Sequence, residues 1–487
     1  MQMRRYEGPL ERISQHCWRI PKSYKSGMRV DGLVFANEQL IGRICDDLAL
    51  EQVANVAFLP GIQVASMAMP DIHWGYGFPI GGVCATDPLQ HGVISPGGVG
   101  YDINCGVRLV RSNLVVDEVA TQIDRLIDQL FETVPAGVGQ GGEYRYAPED
   151  LQSLMQSGPQ GLISRGLATE QDIEFTEAHG KLEDAKPEYV SERALQRGYD
   201  QCGSLGGGNH FMEVQYVDQV FDESAAQVMG IAKGIVCVMI HSGSRGLGYQ
   251  VCDDALRSLR DVPAEYGIAL PDRQLVCAPA DSPAGERYLG AMRAAANFAW
   301  CNRQLLMWQA REVFENVFGR PWHDLDMQLV YDVAHNIAKL EDHIIGGVPK
   351  QVWVHRKGAT RAFPPHHGEL PPAYAAIGQP VLIPGDMGRA SWVLVGQPGA
   401  MEQTFGSACH GAGRVLSRHA AVRLSKGRHI DRELGELGVV AKARSRKGLA
   451  EEQPEAYKDV DVVVDVVDKA GLAKKVARLR PLGVIKG

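Results

Sequence analysis

Residues 95–116 read SPGGVGYDINCGVRLVRSNLVV: a glycine-rich turn, a carboxylate and a thiol three residues apart, then a strand-like apolar run. Glycines packed between strands and polar residues permit positive φ and leave room for close approach of a ligand. The stretch therefore predicts a ligand-bearing loop opening onto a strand. The same grammar recurs at PIGGV (79–83), at SLGGGNH (204–210) and at HSGSRGLG (241–248), which follows the apolar run GIVCVMI. These loops extend from about residue 71 to 410, so they must converge from across the chain. That requirement predicts an α/β (α+β) fold: one intertwined body over 1–487, with central sheets flanked by helices, rather than modules on linkers.

Scaffold segments lie between the loops. Residues 117–134 place Val119, Ile123, Leu126, Leu130 and Val134 on one helical face, and 285–318 form a long apolar-faced helix opened by Asp281-Ser282-Pro283. The more polar stretch at about 140–200 reads as a helical insertion. Residues 327–357 read strand, helix, strand: MQLVYDV, HNIAKLED, KQVWVHR.

The bulk properties narrow the class. With 487 residues, 45% hydrophobic and 22% charged, the chain can bury a large core. It contains no uninterrupted apolar run of the ~20 residues needed to span a membrane, and its basic start lacks the apolar stretch of a signal peptide, so a cytoplasmic, membrane-free protein is expected. Ten cysteines are scattered without a CxxC pair, which favours reduced and mostly buried thiols. A net charge of −8 argues against a surface that is basic throughout. Any nucleic acid should meet a local patch, with Lys442, Arg444, Arg446 and Lys447, or Lys474, Lys475, Arg478 and Arg480, as candidates. A solvated face is the blander account of both runs.

The chemistry-bearing residues are Asp102, Cys105, His210, His241 and His335. A carboxylate, a thiolate and three imidazoles make a first shell for one or two transition metals. If two ions share it, the thiolate can bridge, leaving Asp102 and one histidine on one ion and two histidines on the other. By ligand softness zinc should bind well and manganese more weakly, so the residues do not fix the metal. FGSACHGAGRVLSR (405–418) sets His410 among small residues before an apparent helix start, where amides and the helix N-terminus favour a phosphate. An imidazole there can attack phosphorus; a metal ligand or general base is the competing role. IPGDMGRAS (383–391) has the same glycine and polar character. No GxxxxGK[ST] loop and no strand-to-helix GxGxxG is present, so a nucleotide must be held in another way.

Together PDIHWGYGFPIGG (70–82), GGVGYDINCGVR (97–108), LGGGNHFMEV (205–214), HSGSRGLG (241–248), AHN (334–336), HRKGATRAFPP (355–365), PGDMG (384–388), SACHGAGR (407–414) and the terminal IKG closely resemble the RtcB family of RNA-splicing ligases, nearly end to end. The resemblance implies a ligase that uses two manganese ions and GTP to join RNA 3'-phosphate or 2',3'-cyclic phosphate ends to 5'-hydroxyl ends. Carried over residue by residue, Asp102 and His210 would hold one ion, His241 and His335 the other, Cys105 would bridge them, and His410 would take the GMP. Asn209, His210, Phe211, Met212, Glu213, His335, Asn336, Pro384, Gly385, Asp386, Met387, Ser391, His410, Gly411, Ala412, Gly413 and Lys486 match positions of nucleotide contact. Archease stands as a candidate activating partner. Residue chemistry adds Arg245, Arg356 and Arg414 as candidates for forked hydrogen bonds to RNA phosphates. Two rivals stay open at this point: a metal-dependent phosphoesterase, and a non-catalytic RNA-binding protein.

Overall fold

The computed structural model describes residues 5–487; part of the basic start, Met1–Arg4, lies outside them. Two large sheets organise the α/β body. The first has seven strands in the spatial order Glu11–Arg12, Cys17–Ile20, Asp31–Phe35, Ile62–His73, Ile80–Thr86, Val348–Lys357, Asn336–Ile345. The second runs Leu329–Ala334, Gly106–Val115, Ile235–Ser242, Phe211–Val220, Ala473–Lys486, Ser391–Gly396, Pro380–Ile383, with Val440–Ala443 added in parallel beside Ala473–Lys486. Both are assembled from segments far apart in sequence. The short pair Ala359–Arg361 and Ser407–Cys409 carries the chain towards His410.

The long helix runs Pro283–Phe318, its first turn capped by the Ser282 hydroxyl, which accepts from the Gly285 amide, and its end closed by Gly319 at positive φ. It is buried along most of its length. The 117–134 segment differs from the expected single helix: Val116–Ala120 and Ile123–Thr133 are separate, with the break at Thr121-Gln122. The apolar stripe of Val119, Leu126 and Leu130 still enters the core, because the break preserves its side.

A further expectation is corrected. HNIAKLED is a strand, not a helix: Asn336–Ile345 and Val348–Lys357 form a hairpin closed by Gly346-Gly347, both at positive φ. A two-residue Gly-Gly loop matches the twist of paired strands, and from Leu340 to Ile344 burial alternates with a period of two. The 140–200 stretch forms short helical segments that pack into the body. Its segments Pro148–Ser157 and Gly158–Arg165 bury Leu151, Leu154, Met155 and Leu162 in the same core as the long helix, and Glu192–Gly198 adds Ala194. Its acidic Asp172 is buried against Arg311, with 2.7 Å between Oδ1 and Nη2. Among the described residues no helix is long and apolar enough to cross a membrane.

Candidate active site

The register of the second sheet places the candidate ligands at one end of four adjacent strands. Ala334 lies opposite Gly106, Gly106 opposite Ser242, and His241 opposite Phe211. Cys105, His335, His241 and His210 therefore emerge side by side, and Asp102 folds over them from the preceding loop. Lys486 pairs with Phe211 on the next strand, which brings the C-terminus to the same edge. Gly243 makes the approach possible: a Cβ there would lie 2.4 Å from the Asp102 carboxylate.

The donor atoms form two sets that share Cys105, namely Asp102, Cys105, His210 and Cys105, His241, His335. Cys105 Sγ stands 3.3 Å from Nε2 of both His210 and His241, and His241 Nε2 is 3.3 Å from His335 Nε2. His210 Nδ1 lies 2.7 Å from the Leu205 carbonyl, a contact that fixes the proton on Nδ1 and turns the Nε2 lone pair inward. His335 Nδ1 is buried without a partner among the described residues. Burial holds the His241 and His335 imidazoles well below their usual range, so both are neutral and ligand-competent. Burial, with Asp102 beside it, pushes the Cys105 thiol well up. Inward-facing lone pairs on sulfur, nitrogen and oxygen fit a pair of first-row divalent ions.

Next to this cluster stands His410, its ring centroid 4.8 Å from that of His335. Its Nδ1 is 2.6 Å from Asp71 Oδ2, and the same oxygen accepts from the amides of His410 and Gly411 at 3.0 and 3.2 Å. Burial opposes charge on Asp71, but His410, these donors and Lys458 outweigh it and hold the carboxyl below its usual range. Asp71 thus keeps the proton on Nδ1 and leaves Nε2 as a free lone pair. Gly413, at φ +75°, permits the turn, since a Cβ there would lie 2.1 Å from the Asp71 carbonyl. The helix expected to start beside His410 begins only at Arg418, capped by Ser417, so the His410 and Gly411 amides serve Asp71 rather than a helix-end anion site.

A cleft of about 400 Å³ joins Asp102, Cys105, His241, His335, His410, Asn209, Phe211, Glu213, Asn336, Pro384–Met387, Gly411–Gly413 and Lys486, whereas His210 lies behind its lining. Burial pushes the Glu213 carboxyl up to about 7, against Gln215 and Lys486, and Asp386 up to about 6. Met212 instead lies in the core beneath the sheet, and Ser391 sits behind the cleft wall, its hydroxyl 2.9 Å from Gln215 Nε2 and 3.3 Å from the Gly385 amide.

The arginine candidates separate. Arg356 is wholly buried, its fork closed on Glu341 at 2.5 and 2.8 Å and its Nε on Ser407, so it cannot reach RNA. Arg414 lines the cleft, yet its donors are engaged by Glu452, Tyr457 and two carbonyls. Arg245 donates only to the Ser204 hydroxyl and the Gly137 carbonyl and has no carboxylate partner among the described residues. The basic run at 474–480 is paired: Lys474 with Asp222, Arg478 and Arg480 with Asp218. Lys442 meets Asp128, and Arg444 covers the Phe131 ring.

Asp71, the one carboxylate of PDIHWGYGFPIGG, is a site residue outside those expected from the sequence. Asn302 and Arg303, expected only as part of the long helix, also serve the site. From the long helix, Asn302 Nδ2 donates to the carbonyls of Ser204 and Gly243, and Arg303 Nη1 to those of Asn104 and Ser242. Those carbonyls flank the loops of His210, His241 and Cys105. No local pattern distinguishes such residues from other buried helix positions.

The RtcB family model, described as tRNA-splicing ligase RtcB, matches residues 52–487. The chain is similar to the tRNA-splicing ligase RtcB of Archaeoglobus fulgidus, 54% identical over 481 residues and 99% of each chain. It is also similar to that of Thermococcus kodakarensis, 54% identical over 479 residues, 98% of this chain and 99% of the relative. The RNA-splicing ligase RtcB of Mycobacterium tuberculosis is 53% identical over 438 residues, 90% of this chain and all of the relative.

Proposed function

The chain belongs to the RtcB family of RNA-splicing ligases, and from that premise we propose that it is a GTP- and manganese-dependent enzyme joining RNA 3'-phosphate or 2',3'-cyclic phosphate ends to 5'-hydroxyl ends, in tRNA splicing or RNA repair in the cytoplasm. One observation carries the reading: His410, with its Nδ1 proton held by Asp71, stands against two donor sets that share a thiol, inside one cleft. Asp102 and His210 would hold one ion, His241 and His335 the other, with Cys105 between them. Two bound divalent ions would supply charge neutralisation at phosphoryl oxygens.

The chain's own groups account for the rest. His410 Nε2 attacks the α-phosphorus of GTP, a P–N bond forms, and the bond to the β-phosphate oxygen breaks with loss of pyrophosphate. Glu213 and Lys486 offer an acceptor and a donor that match the N1/N2 and O6 edges of guanine. GMP then passes from His410 to the RNA 3'-phosphate, a cyclic end having first been opened by water. The 5'-hydroxyl of the second fragment attacks that activated phosphorus and GMP departs. Arg245, with no carboxylate partner among the described residues, is the arginine best placed to meet an RNA phosphate. Archease is retained as a candidate activator.

Incubation with Mn²⁺ and α-labelled GTP should give acid-labile labelled protein, and His410→Ala should abolish the label. RNA carrying a labelled 3'-phosphate should leave that label in the new linkage, with none from GTP. GTP-derived phosphorus in the junction, or sealing of 5'-phosphate to 3'-hydroxyl ends, would overturn the mechanism. Hydrolysis of cyclic ends without nucleotide dependence would favour a phosphoesterase instead.

A further inference from the structure

Beyond His410 and the ligand cluster, an aromatic series leads out of the cleft. Tyr76 and Tyr101 line the cleft wall, and Tyr101 is the chain neighbour of Asp102. The two rings meet edge to face at 5.7 Å. Tyr101 then stacks on Tyr249, centroids 4.8 Å apart and planes 23° from parallel. Tyr249 lies in the first turns of the helix Arg245–Ser258, whose first residue, Arg245, is at positive φ and turns its guanidinium back to Ser204 and Gly137. Its side chain is 47% exposed. Arg197, an exposed residue on the helix Glu192–Gly198, places its guanidinium 5.7 Å from the Tyr249 ring centroid. Nearby Asp253 is neutralised by Arg257 at 2.7 Å.

Packing alone explains Tyr76 and Tyr101. It does not explain a tyrosine left half in water at the end of a stacked series that starts beside the metal-ligand loop. Single-stranded nucleic acids are held by aromatic faces and arginine planes, because every base offers a π-face.

We propose that Tyr249 and Tyr101, with Arg197 as a movable cover, form a stacking platform for the unpaired RNA bases next to the reacting end as the strand enters the cleft. This inference rests on the RNA-ligase reading and adds to it the path of the substrate. A base slides between the Arg197 guanidinium and the outer face of Tyr249. Recognition by stacking is tolerant of sequence, so the platform should accept any base.

The test is fluorescence anisotropy with the whole protein, Mn²⁺ and two short single-stranded RNAs, one ending in a 3'-phosphate and one starting with a 5'-hydroxyl. Tyr249→Ala should weaken at least one of them by about 5- to 100-fold, the range of a lost base–aromatic stack. Tyr249→Phe should bind like the unaltered protein, since the ring and not the hydroxyl is used. Labelling of His410 by GTP should persist in both variants, as a readout of an intact nucleotide pocket. Unchanged affinity for both RNAs in Tyr249→Ala would overturn the proposal, as would a parallel loss of His410 labelling, which would mark a general distortion. Failure of the unaltered protein to label His410 would sink the ligase mechanism, while the anisotropy comparison would still decide the platform.

Discussion

Asp71 concentrates three N–H donors on one oxygen, and the chemistry of His410 depends on which of them is the ring. With an ionised carboxylate the imidazole keeps its proton on Nδ1 and presents a lone pair at Nε2. Replacing Asp71 by Asn removes the charge and lets the amide oxygen or its NH₂ face the ring, so the tautomer is no longer imposed. Asp71→Asn should slow formation of the His410–GMP adduct by roughly 10²- to 10⁴-fold, as losses of proton control at a catalytic imidazole commonly do. The variant should retain its metal, since Asp71 belongs to neither donor set. Single-turnover labelling and metal content check this, and an unchanged labelling rate would place control of the tautomer elsewhere.

At the scale of elements, the long helix Pro283–Phe318 does more than fill the core. Asn302 and Arg303 fasten three of the loops that carry the cluster to one helical position, and Arg303 also shares Asp332 with Arg108 through bonds of 2.8 Å. Arg303 and Asp332 are fully buried, so breaking the group leaves an under-compensated charge. Arg303→Met should lower unfolding stability by about 3–5 kcal/mol. It should also weaken Mn²⁺ binding roughly 10- to 100-fold through the displaced carbonyls of Asn104 and Ser242. Calorimetric titration and thermal melting measure the two effects. Loss of stability with unaltered metal affinity would reduce Arg303 to a core residue.

The whole molecule is closed by its last strand. Ala473–Lys486 lies between Phe211–Val220 and Ser391–Gly396 in the middle of the second sheet, so residues from the chain's end complete a sheet begun before residue 110. A chain ending before Ala473 should lack a cooperative thermal transition, because two buried strands would be left with unpaired edges. Lys486→Ala should melt cooperatively and lose GTP labelling only. A folded truncated chain would show that the body is modular after all. The sequence by itself determined the chemical inventory: glycine-rich loops bearing Asp102, Cys105, His210, His241, His335 and His410 are local features, and their order alone marks the family. It also carried the long helix, whose cap and apolar face are written in adjacent residues. Only the tertiary structure decided that HNIAKLED pairs as a strand, because a short amphipathic run fits either period until its hairpin partner is known. Nor could it be read from local pattern that Arg356 is sealed beneath Glu341, or that Asp71, Asn302 and Arg303 hold the site in place. Those roles depend on carbonyls and carboxylates brought from up to 340 residues away, and no spacing along the chain encodes such a distance.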